Sequence, residues 1–200
     1  MPFSSLPNLP APAAPAPRLV VIGGGARSGK SNFALAYARS LGARRCFIAT
    51  AQAFDGEMRA RIDRHRIERG ADWETIEEPL ALEEAIERAP ADAVLLIDCL
   101  TLWLSNLLCA DVSHDEIMAR VEAVAETAAA RRAPTLVVTN EVGLGLVPDN
   151  PLGRAFRDIT GLAHQRLADV ADEIYAALMG VVVRLAPAPL MSFRPGALAR

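Results

Sequence analysis

The sequence has few cysteines, few aromatic residues and no excess of basic residues. Its three cysteines, Cys46, Cys99 and Cys109, are odd in number and none pair as C-x-x-C, which argues against a disulfide framework or a zinc site. With a net charge of −3, the chain lacks the clustered basic residues of nucleic-acid binders, so we expect small-molecule substrates and no nucleic acid. No apolar run approaches the roughly 18 residues that span a bilayer, and we expect a cytoplasmic protein without a membrane span.

The first 17 residues contain no lysine or arginine, and six of them are prolines. They lack both the charged region and the continuous apolar region of a secretion signal. We therefore predict a flexible Pro/Ala-rich arm over residues 1–17, one domain over 18–186 and a tail over 187–200. A single domain suits the size of the chain and its hydrophobic content of 52%.

A phosphate-binding loop follows the apolar run 19–22, because G-G-A-R-S-G-K-S fits the pattern G-x-x-x-x-G-K-[ST]. Its glycines allow backbone N–H groups to point at phosphate oxygens, and the next helix presents its positive end to the same anion. Lys30 would contact the β and γ phosphates, and Ser31 would ligate Mg²⁺. A plain Gly-rich turn is the weaker alternative, since a predicted strand precedes the loop and a predicted helix follows it. The nucleotide-binding residues predicted here are Gly24, Gly25, Ala26, Arg27, Ser28, Gly29, Lys30 and Ser31.

Short apolar runs alternate with longer segments of helical period, which predicts an α/β fold with a mostly parallel sheet flanked by helices. The chain is predicted to close with an edge hairpin around Gly180. The predicted strands are 19–22, 46–49, 73–76, 94–97, 136–139, 174–179 and 181–185, and the predicted helices are 30–41, 55–68, 80–88, 102–108, 115–131 and 151–170.

Polar residues follow the predicted strands, where ligands bind in open α/β sheets. These positions are Thr50-Ala51-Gln52, Glu77, Asp98 and Asn140-Glu141. Asp98 ends an apolar strand, as does the carboxylate that holds Mg²⁺ in P-loop enzymes, so it is the candidate metal residue. The alternative is that Asp98 caps the helix that follows it.

The predicted helix 55–68 carries Arg61 and His65, and Arg69 directly follows it at the same interval of four, so the three share one face. A cationic surrounding favours the neutral, nucleophilic form of an imidazole, and guanidinium groups hold phosphates well. This pattern is compatible with nucleotidyl transfer to His65. It is also compatible with a solvated helix face whose arginines pair with carboxylates such as Glu68.

The other histidines and one loop carry less information. His114 lies in a polar turn and His164 lies inside a predicted helix, and we interpret both as structural. The loop 139–145 leaves a strand at the ligand-binding edge and contains two glycines. Its pattern fits a plain turn as well as a substrate-facing loop.

Four segments together resemble the bifunctional adenosylcobinamide kinase / adenosylcobinamide-phosphate guanylyltransferase family. They are G-G-A-R-S-G-K-S at 24–31, F-I-A-T-A-Q at 47–52, E-M-R-A-R-I-D-R-H-R at 57–66 and T-N-E-V-G-L-G-L-V-P at 139–148. The resemblance covers about residues 20–185. It implies a RecA-like P-loop NTPase fold and a late step of adenosylcobalamin (vitamin B12 coenzyme) synthesis, with GTP, ATP, adenosylcobinamide and its phosphate as substrates.

The resemblance also implies roles for individual residues. It makes His65 the catalytic residue that takes GMP covalently, and it suggests a homo-oligomer such as a trimer, in which a neighbouring subunit completes the site. Besides the phosphate loop, the positions that match nucleotide contacts of the family are Thr50, Ala51, Gln52, Arg66, Ile67, Glu68, Arg69, Glu77 and Asp98.

Two other functions are compatible with the sequence. A plain small-molecule kinase on the same fold would transfer the γ-phosphate and form no covalent nucleotide, with His65 only a surface residue. A nucleotide-operated switch would change its affinity for a protein partner between the di- and triphosphate states.

Overall fold

An eight-stranded sheet with helices on both faces forms the centre of the fold. The computed structural model describes residues 16–52, 56, 66–67, 69–188 and 191–193 of the 200-residue chain. The strands are β1 (Leu19–Gly24), β2 (Arg45–Ala49), β3 (Glu74–Glu77), β4 (Val94–Asp98), β5 (Thr135–Asn140), β6 (Glu173–Leu178), β7 (Val181–Ala186) and β8 (Met191–Phe193). The helices are α1 (Lys30–Leu41), α2 (Leu82–Arg88), α3 (Leu100–Cys109), α4 (His114–Ala130) and α5 (Pro151–Val170).

The strands are ordered β3-β2-β4-β5-β1-β6-β7-β8, and the first six pair in parallel. This confirms the predicted mostly parallel sheet. The predicted C-terminal hairpin is present as the antiparallel pair β6 and β7. The edge strand on this side of the sheet is nevertheless β8, which pairs with β7 and lies in the segment that the sequence left unassigned. Three residues in a proline-rich stretch are too few to show a strand period.

Alternate residues of β1 pack on opposite faces of the sheet. Leu19 and Val21 belong to a core cluster shared with α2, α3, α4 and α5, whereas Val20 and Ile22 pack against α1. Burial on both faces explains why this strand is a continuous apolar run in the sequence rather than an alternating one.

Local capping explains where two helices begin. Asn150 accepts a hydrogen bond from the Gly153 N–H at 2.7 Å, and Pro151 occupies the first turn of α5 as predicted. Ser113 accepts from the Glu116 N–H at 3.3 Å, so α4 begins at His114, one residue before the predicted start.

The sequence predicts that Trp73 begins a strand, but β3 begins one residue later. The Trp73 ring is buried and packs edge-on against Phe47, with 6.2 Å between ring centroids. An aromatic residue at position 73 therefore serves this packing and is not part of the strand.

The predicted helix 55–68 is described only in part. Residues 56, 66, 67 and 69 are helical, and His65 lies outside the described residues, as does most of the predicted N-terminal arm. Cys46 and Cys99 are buried and Cys109 is exposed, all three as free thiols. Among the helices that the structure describes, none is both long and apolar enough to cross a membrane.

Candidate functional site

The phosphate loop connects β1 to α1 at the carboxyl edge of the sheet. Gly29 has a φ of 94°, in the left-handed region that glycine adopts without strain, and the Ser28 N–H closes a turn onto the Gly25 carbonyl at 3.3 Å. A Cβ at Gly24 would lie 2.6 Å from the carbonyl oxygen of Ala177 in β6. The glycine at position 24 therefore permits the close approach of two neighbouring strands.

The amino end of α1 is suited to an anion. No side chain caps this helix, and its first turn contains no acidic residue. The Lys30 ammonium donates to the Gly25 carbonyl at 3.0 Å, which holds its positive charge over the loop. The Ser28 hydroxyl is buried and has no hydrogen-bond partner among the described residues. Helix N–H groups without a side-chain cap, a lysine and an unsatisfied hydroxyl are groups that suit a bound phosphate.

The register of the parallel strands places the predicted carboxylates level with one another. Glu77 is opposite Ala49, and Ala49 is opposite Asp98. Asp98 is in turn opposite Val138, the partner of Ile22 in β1. Glu77 and Asp98 therefore end their strands at one edge, close to the start of the phosphate loop.

The end of the partly described helix lies against this edge. Arg66 forms an ion pair with Glu77, and Ile67 is largely exposed. Arg69 is only 6% exposed, and its guanidinium stacks 3.7 Å from the centre of the Phe47 ring. The structure thus brings predicted residues of the helix and of the strands together, while Glu68 lies outside the described residues.

Three cations, Arg66, Arg69 and Lys30, act electrostatically near the end of β4. Burial lowers the pKa of Arg69, the charge of Arg66 lowers it further, and the Asp98 carboxylate opposes both. Burial and the adjacent Asp98 raise the pKa of Cys99 to about 11, and Lys30 acts in the opposite direction. The Cys99 thiol is therefore protonated at pH 7 and is not a nucleophile.

Thr50 ties the ends of β2 and β4 together. Its hydroxyl donates to the Cys99 carbonyl at 2.8 Å and accepts from the Cys99 N–H at 2.9 Å. The Asn106 amide of α3 donates to the Thr50 carbonyl at 2.8 Å. Thr50 is fully buried, so it fixes the backbone next to Asp98, and the half-buried Ala51 and Gln52 follow it at the surface.

The segment after β5 contacts a histidine whose position at this edge the sequence did not reveal. The Glu141 N–H donates to the carbonyl of Gly24 at 3.1 Å. The Nδ1 atom of His164 lies 3.6 Å from Glu141 Oε2, and its Nε2 atom lies 2.7 Å from the Thr139 hydroxyl. The sequence pattern favours a purely structural role for His164, yet α5 brings it to this edge. Helical spacing places His164 on the same face of α5 as Arg157, which donates to the Gly143 carbonyl at 2.6 Å. That spacing is the signal in the sequence that could have indicated the position of His164.

The residues at the edge fit a magnesium ion bound together with phosphates. Within the described part of the chain, no group of three or more His, Cys, Asp or Glu side chains could hold a metal. Magnesium in nucleotide sites, however, is held by one or two protein oxygens, with phosphates and water completing its shell. Ser31 and Asp98 are half-buried and supply a hydroxyl and a carboxylate of that kind.

Comparison with known proteins identifies close relatives along most of the chain. The family model described as cobinamide kinase / cobinamide phosphate guanyltransferase matches residues 20–185. The bifunctional adenosylcobalamin biosynthesis protein CobP of Pseudomonas aeruginosa is 43% identical over 168 residues, which are 84% of this chain and 96% of the relative. The protein of the same description, CobU, from Salmonella typhimurium is 41% identical over 181 residues, covering 84% and 99%.

Solved structures agree with the fold. The RadB recombinase has a TM-score of 0.51 at 14% identity, covering 89% of this chain and 87% of the recombinase. A second solved structure, which is an ATPase domain, has a TM-score of 0.51 at 12% identity, covering 89% of this chain and 82% of that domain. These likenesses confirm the predicted RecA-like P-loop NTPase fold.

Proposed function

Because the chain belongs to the cobinamide kinase / cobinamide phosphate guanyltransferase family, we propose that both reactions use the loop 24–31 and the adjoining sheet edge. The protein is a bifunctional enzyme of adenosylcobalamin biosynthesis, with kinase and guanylyltransferase activities. The kinase phosphorylates adenosylcobinamide. The transferase then moves GMP from GTP to adenosylcobinamide phosphate, which gives adenosylcobinamide-GDP and pyrophosphate.

In the kinase step, the loop binds the triphosphate of ATP or GTP, and the acceptor hydroxyl attacks the γ-phosphorus in line. The observation that carries this assignment is the amino end of α1, where uncapped N–H groups meet Lys30 and the unsatisfied Ser28 hydroxyl. Ser31 and Asp98 would hold Mg²⁺, which neutralises phosphate charge when bound. Catalysis then comes mainly from positioning and from charge stabilisation by Lys30.

In the transferase step, we assign the nucleophile to His65. Its neutral imidazole attacks the α-phosphorus of GTP, an N–P bond forms and pyrophosphate leaves. A phosphate oxygen of adenosylcobinamide phosphate then displaces the histidine, which divides one difficult displacement into two easier ones. Support comes from the next residues along the chain, because Arg66 and Arg69 lie beside Glu77 and Asp98 at the edge that carries the phosphate loop.

We extend the nucleotide site to the remaining matched positions at the same edge. Ala51 and Gln52 follow the buried Thr50, and Glu77 is positioned by its ion pair with Arg66. We include Ile67 and Glu68 because they lie between the two arginines in the sequence.

We further propose that the enzyme is a cytoplasmic homo-oligomer, specifically a trimer. The segment 144–147 supports an interface near the site, since Leu144, Leu146 and Val147 are 82%, 97% and 68% exposed. Such apolar exposure beside a ligand site is typical of surfaces covered by another molecule.

Labelled nucleotides test the division of roles. With Mg²⁺ and GTP labelled at the α-phosphate, the wild-type protein should retain label after denaturation, in an acid-labile adduct that maps to the peptide containing His65. His65→Asn should lose this adduct but keep kinase activity, whereas Lys30→Met should lose both reactions. His114→Asn is the matched control, because His114 is an exposed residue at the start of α4.

The outcomes separate the competing functions. An α-label that persists in His65→Asn would exclude His65 as the nucleophile. If the wild type transfers the γ-label but forms no covalent α-labelled adduct, the protein acts as a small-molecule kinase without a guanylyl-histidine.

A further inference from the structure

The carboxylate of Glu141 is held beside the phosphate loop by the backbone of its own segment. The Glu141 N–H donates to the carbonyl of Gly24, the first residue of the loop, at 3.1 Å. Within the loop after β5, the Gly143 N–H donates to Glu141 Oε1 at 2.6 Å. The donation from Arg157 to the Gly143 carbonyl fixes this loop against α5. The backbone of Glu141 is therefore fixed to the phosphate loop, and its carboxylate is fixed through Gly143 to α5.

The second carboxylate oxygen of Glu141 faces His164. The imidazole Nδ1 lies 3.6 Å from Glu141 Oε2, and Nε2 lies 2.7 Å from the hydroxyl of Thr139, which is almost fully buried. Burial lowers the pKa of His164, partly offset by the nearby Glu141 carboxylate, so the ring is neutral at pH 7. One tautomer satisfies both contacts: Nδ1–H points to Glu141, and the Thr139 hydroxyl donates to Nε2.

Three carboxylates lie at this edge, and their surroundings differ. Glu77 is paired with the guanidinium of Arg66. Asp98 ends β4 and interacts electrostatically with the Arg69 guanidinium. Glu141 is contacted by a neutral imidazole and a backbone N–H, and 36% of its side chain is exposed. A carboxylate that accepts a proton in catalysis must be accessible and must not be held ionised by a fixed cation.

We propose that Glu141 is the general base of the kinase step and that His164 is a positioning residue that orients it. The assignment rests on the proposed kinase site. The acceptor hydroxyl forms a bond to the γ-phosphorus, the bond from that phosphorus to the bridging oxygen breaks, and the nucleoside diphosphate leaves. The hydroxyl proton passes to a Glu141 oxygen and from there to solvent through the exposed side of the carboxylate.

The two activities of the enzyme provide an internal control. The kinase acceptor is a hydroxyl that must lose a proton, whereas the transferase acceptor is a phosphate that is already an anion. Loss of a base should therefore affect the first reaction and spare the second. A residue that only stabilises the loop would affect both, because both use the same phosphate loop.

The test compares Glu141→Gln with the wild type in each reaction measured separately, using adenosylcobinamide with ATP and then purified adenosylcobinamide phosphate with GTP. General-base removal is expected to lower the kinase kcat by about 10²- to 10⁴-fold. The kinase KM values and the transferase kcat should stay within about threefold of wild type. Glu126→Gln, on the exposed face of α4, is the matched control and should leave both reactions unchanged.

The role of His164 is tested through its dependence on Glu141. His164→Leu should lower the kinase kcat about tenfold with little change in KM, and His164→Gln, which keeps an N–H donor, should recover part of the loss. The double variant Glu141→Gln/His164→Leu should be no slower than Glu141→Gln alone, because His164 acts only through the carboxylate.

Two results would overturn the proposal: a kinase kcat of Glu141→Gln within threefold of wild type, or an equal loss in both reactions. Glu141→Asp separates loss of the base from misfolding. It keeps a carboxylate and should retain more kinase activity than Glu141→Gln. The kinase measurements do not involve the guanylyl-histidine, so a failure of the His65 assignment would leave this test intact.

Discussion

Two fully buried threonines should respond in opposite ways to the same substitution. Thr50 and Thr135 are both 0% exposed, and valine has nearly the same shape as threonine. The Thr50 hydroxyl donates to and accepts from the backbone of Cys99. The Thr135 hydroxyl has no hydrogen-bond partner among the described residues. Replacing each hydroxyl by a methyl group therefore separates the loss of hydrogen bonds from the change in packing.

The expected magnitudes follow from the groups that lose a partner. Thr50→Val leaves the buried Cys99 N–H unsatisfied, which costs roughly 1–3 kcal/mol. It also removes one hydrogen bond to the Cys99 carbonyl, worth about 0.5–1.5 kcal/mol, although the Trp103 N–H still donates to that carbonyl at 3.3 Å. The added methyl returns about 0.8 kcal/mol of apolar burial. We therefore expect Thr50→Val to lower the free energy of unfolding by about 1–4 kcal/mol. Thr135→Val removes an unsatisfied hydroxyl and should leave stability unchanged or raise it by up to about 2 kcal/mol.

Urea unfolding at pH 7, followed by tryptophan fluorescence and circular dichroism, measures both changes. The m-values should match the wild type, so that shifts in midpoint report stability. Thr50→Val should also lower the kinase kcat in the remaining folded protein, because Cys99 follows Asp98. Equal shifts of the two midpoints in the same direction would refute the reasoning, since burial alone would then decide the outcome.

Two further pairs of variants test local features of the fold. Gly24→Ala should lower the free energy of unfolding by about 1–3 kcal/mol, because the added Cβ overpacks against Ala177. Gly25→Ala is the control, since its Cβ would meet nothing within 4 Å, and it should change the free energy of unfolding little. Thermal unfolding compares the two variants, and equal melting temperatures would contradict the predicted clash. Arg131→Met should lower the free energy of unfolding by about 2–5 kcal/mol, because this buried guanidinium donates to four backbone carbonyls. They are the carbonyls of Ile86, Ala89, Pro90 and Ala93. Arg132→Met is the control, because Arg132 is the exposed neighbour of Arg131. Chemical denaturation measures the free energy of unfolding of both variants, and equal values would show that the four hydrogen bonds add no stability.

The sequence predicts the parallel part of the fold well because its determinants are local. The buried strands appear as apolar runs, α5 begins at a visible cap with Pro151, and the phosphate loop has a fixed spacing. Positions after strands could be grouped into one site without knowing the strand order, because all parallel strands end at the same edge.

Side-chain partners could not be predicted in the same way, since they depend on how distant elements pack. The family resemblance predicts that Thr50 contacts nucleotide, but it does not show that the Thr50 hydroxyl donates to the Cys99 carbonyl. His164 meets Thr139 only because α5 returns across the sheet. Its helical spacing to Arg157 places both residues on one face of α5, but it does not show which strand that face contacts. The strand β8 was missed because it is short and leaves no period.

The central position of β1 has a consequence for how the chain acquires its structure during synthesis. β1 is among the first described segments to emerge from the ribosome, but its neighbours β5 and β6 come from the second half of the chain. Its residue Val20 pairs with Glu173. The strand before the loop therefore keeps both edges open until β5 has been synthesised, and one edge open until β6 follows. Long-range pairing of this kind slows folding and exposes unpaired strands, so a chain stalled before β6 should depend on chaperones.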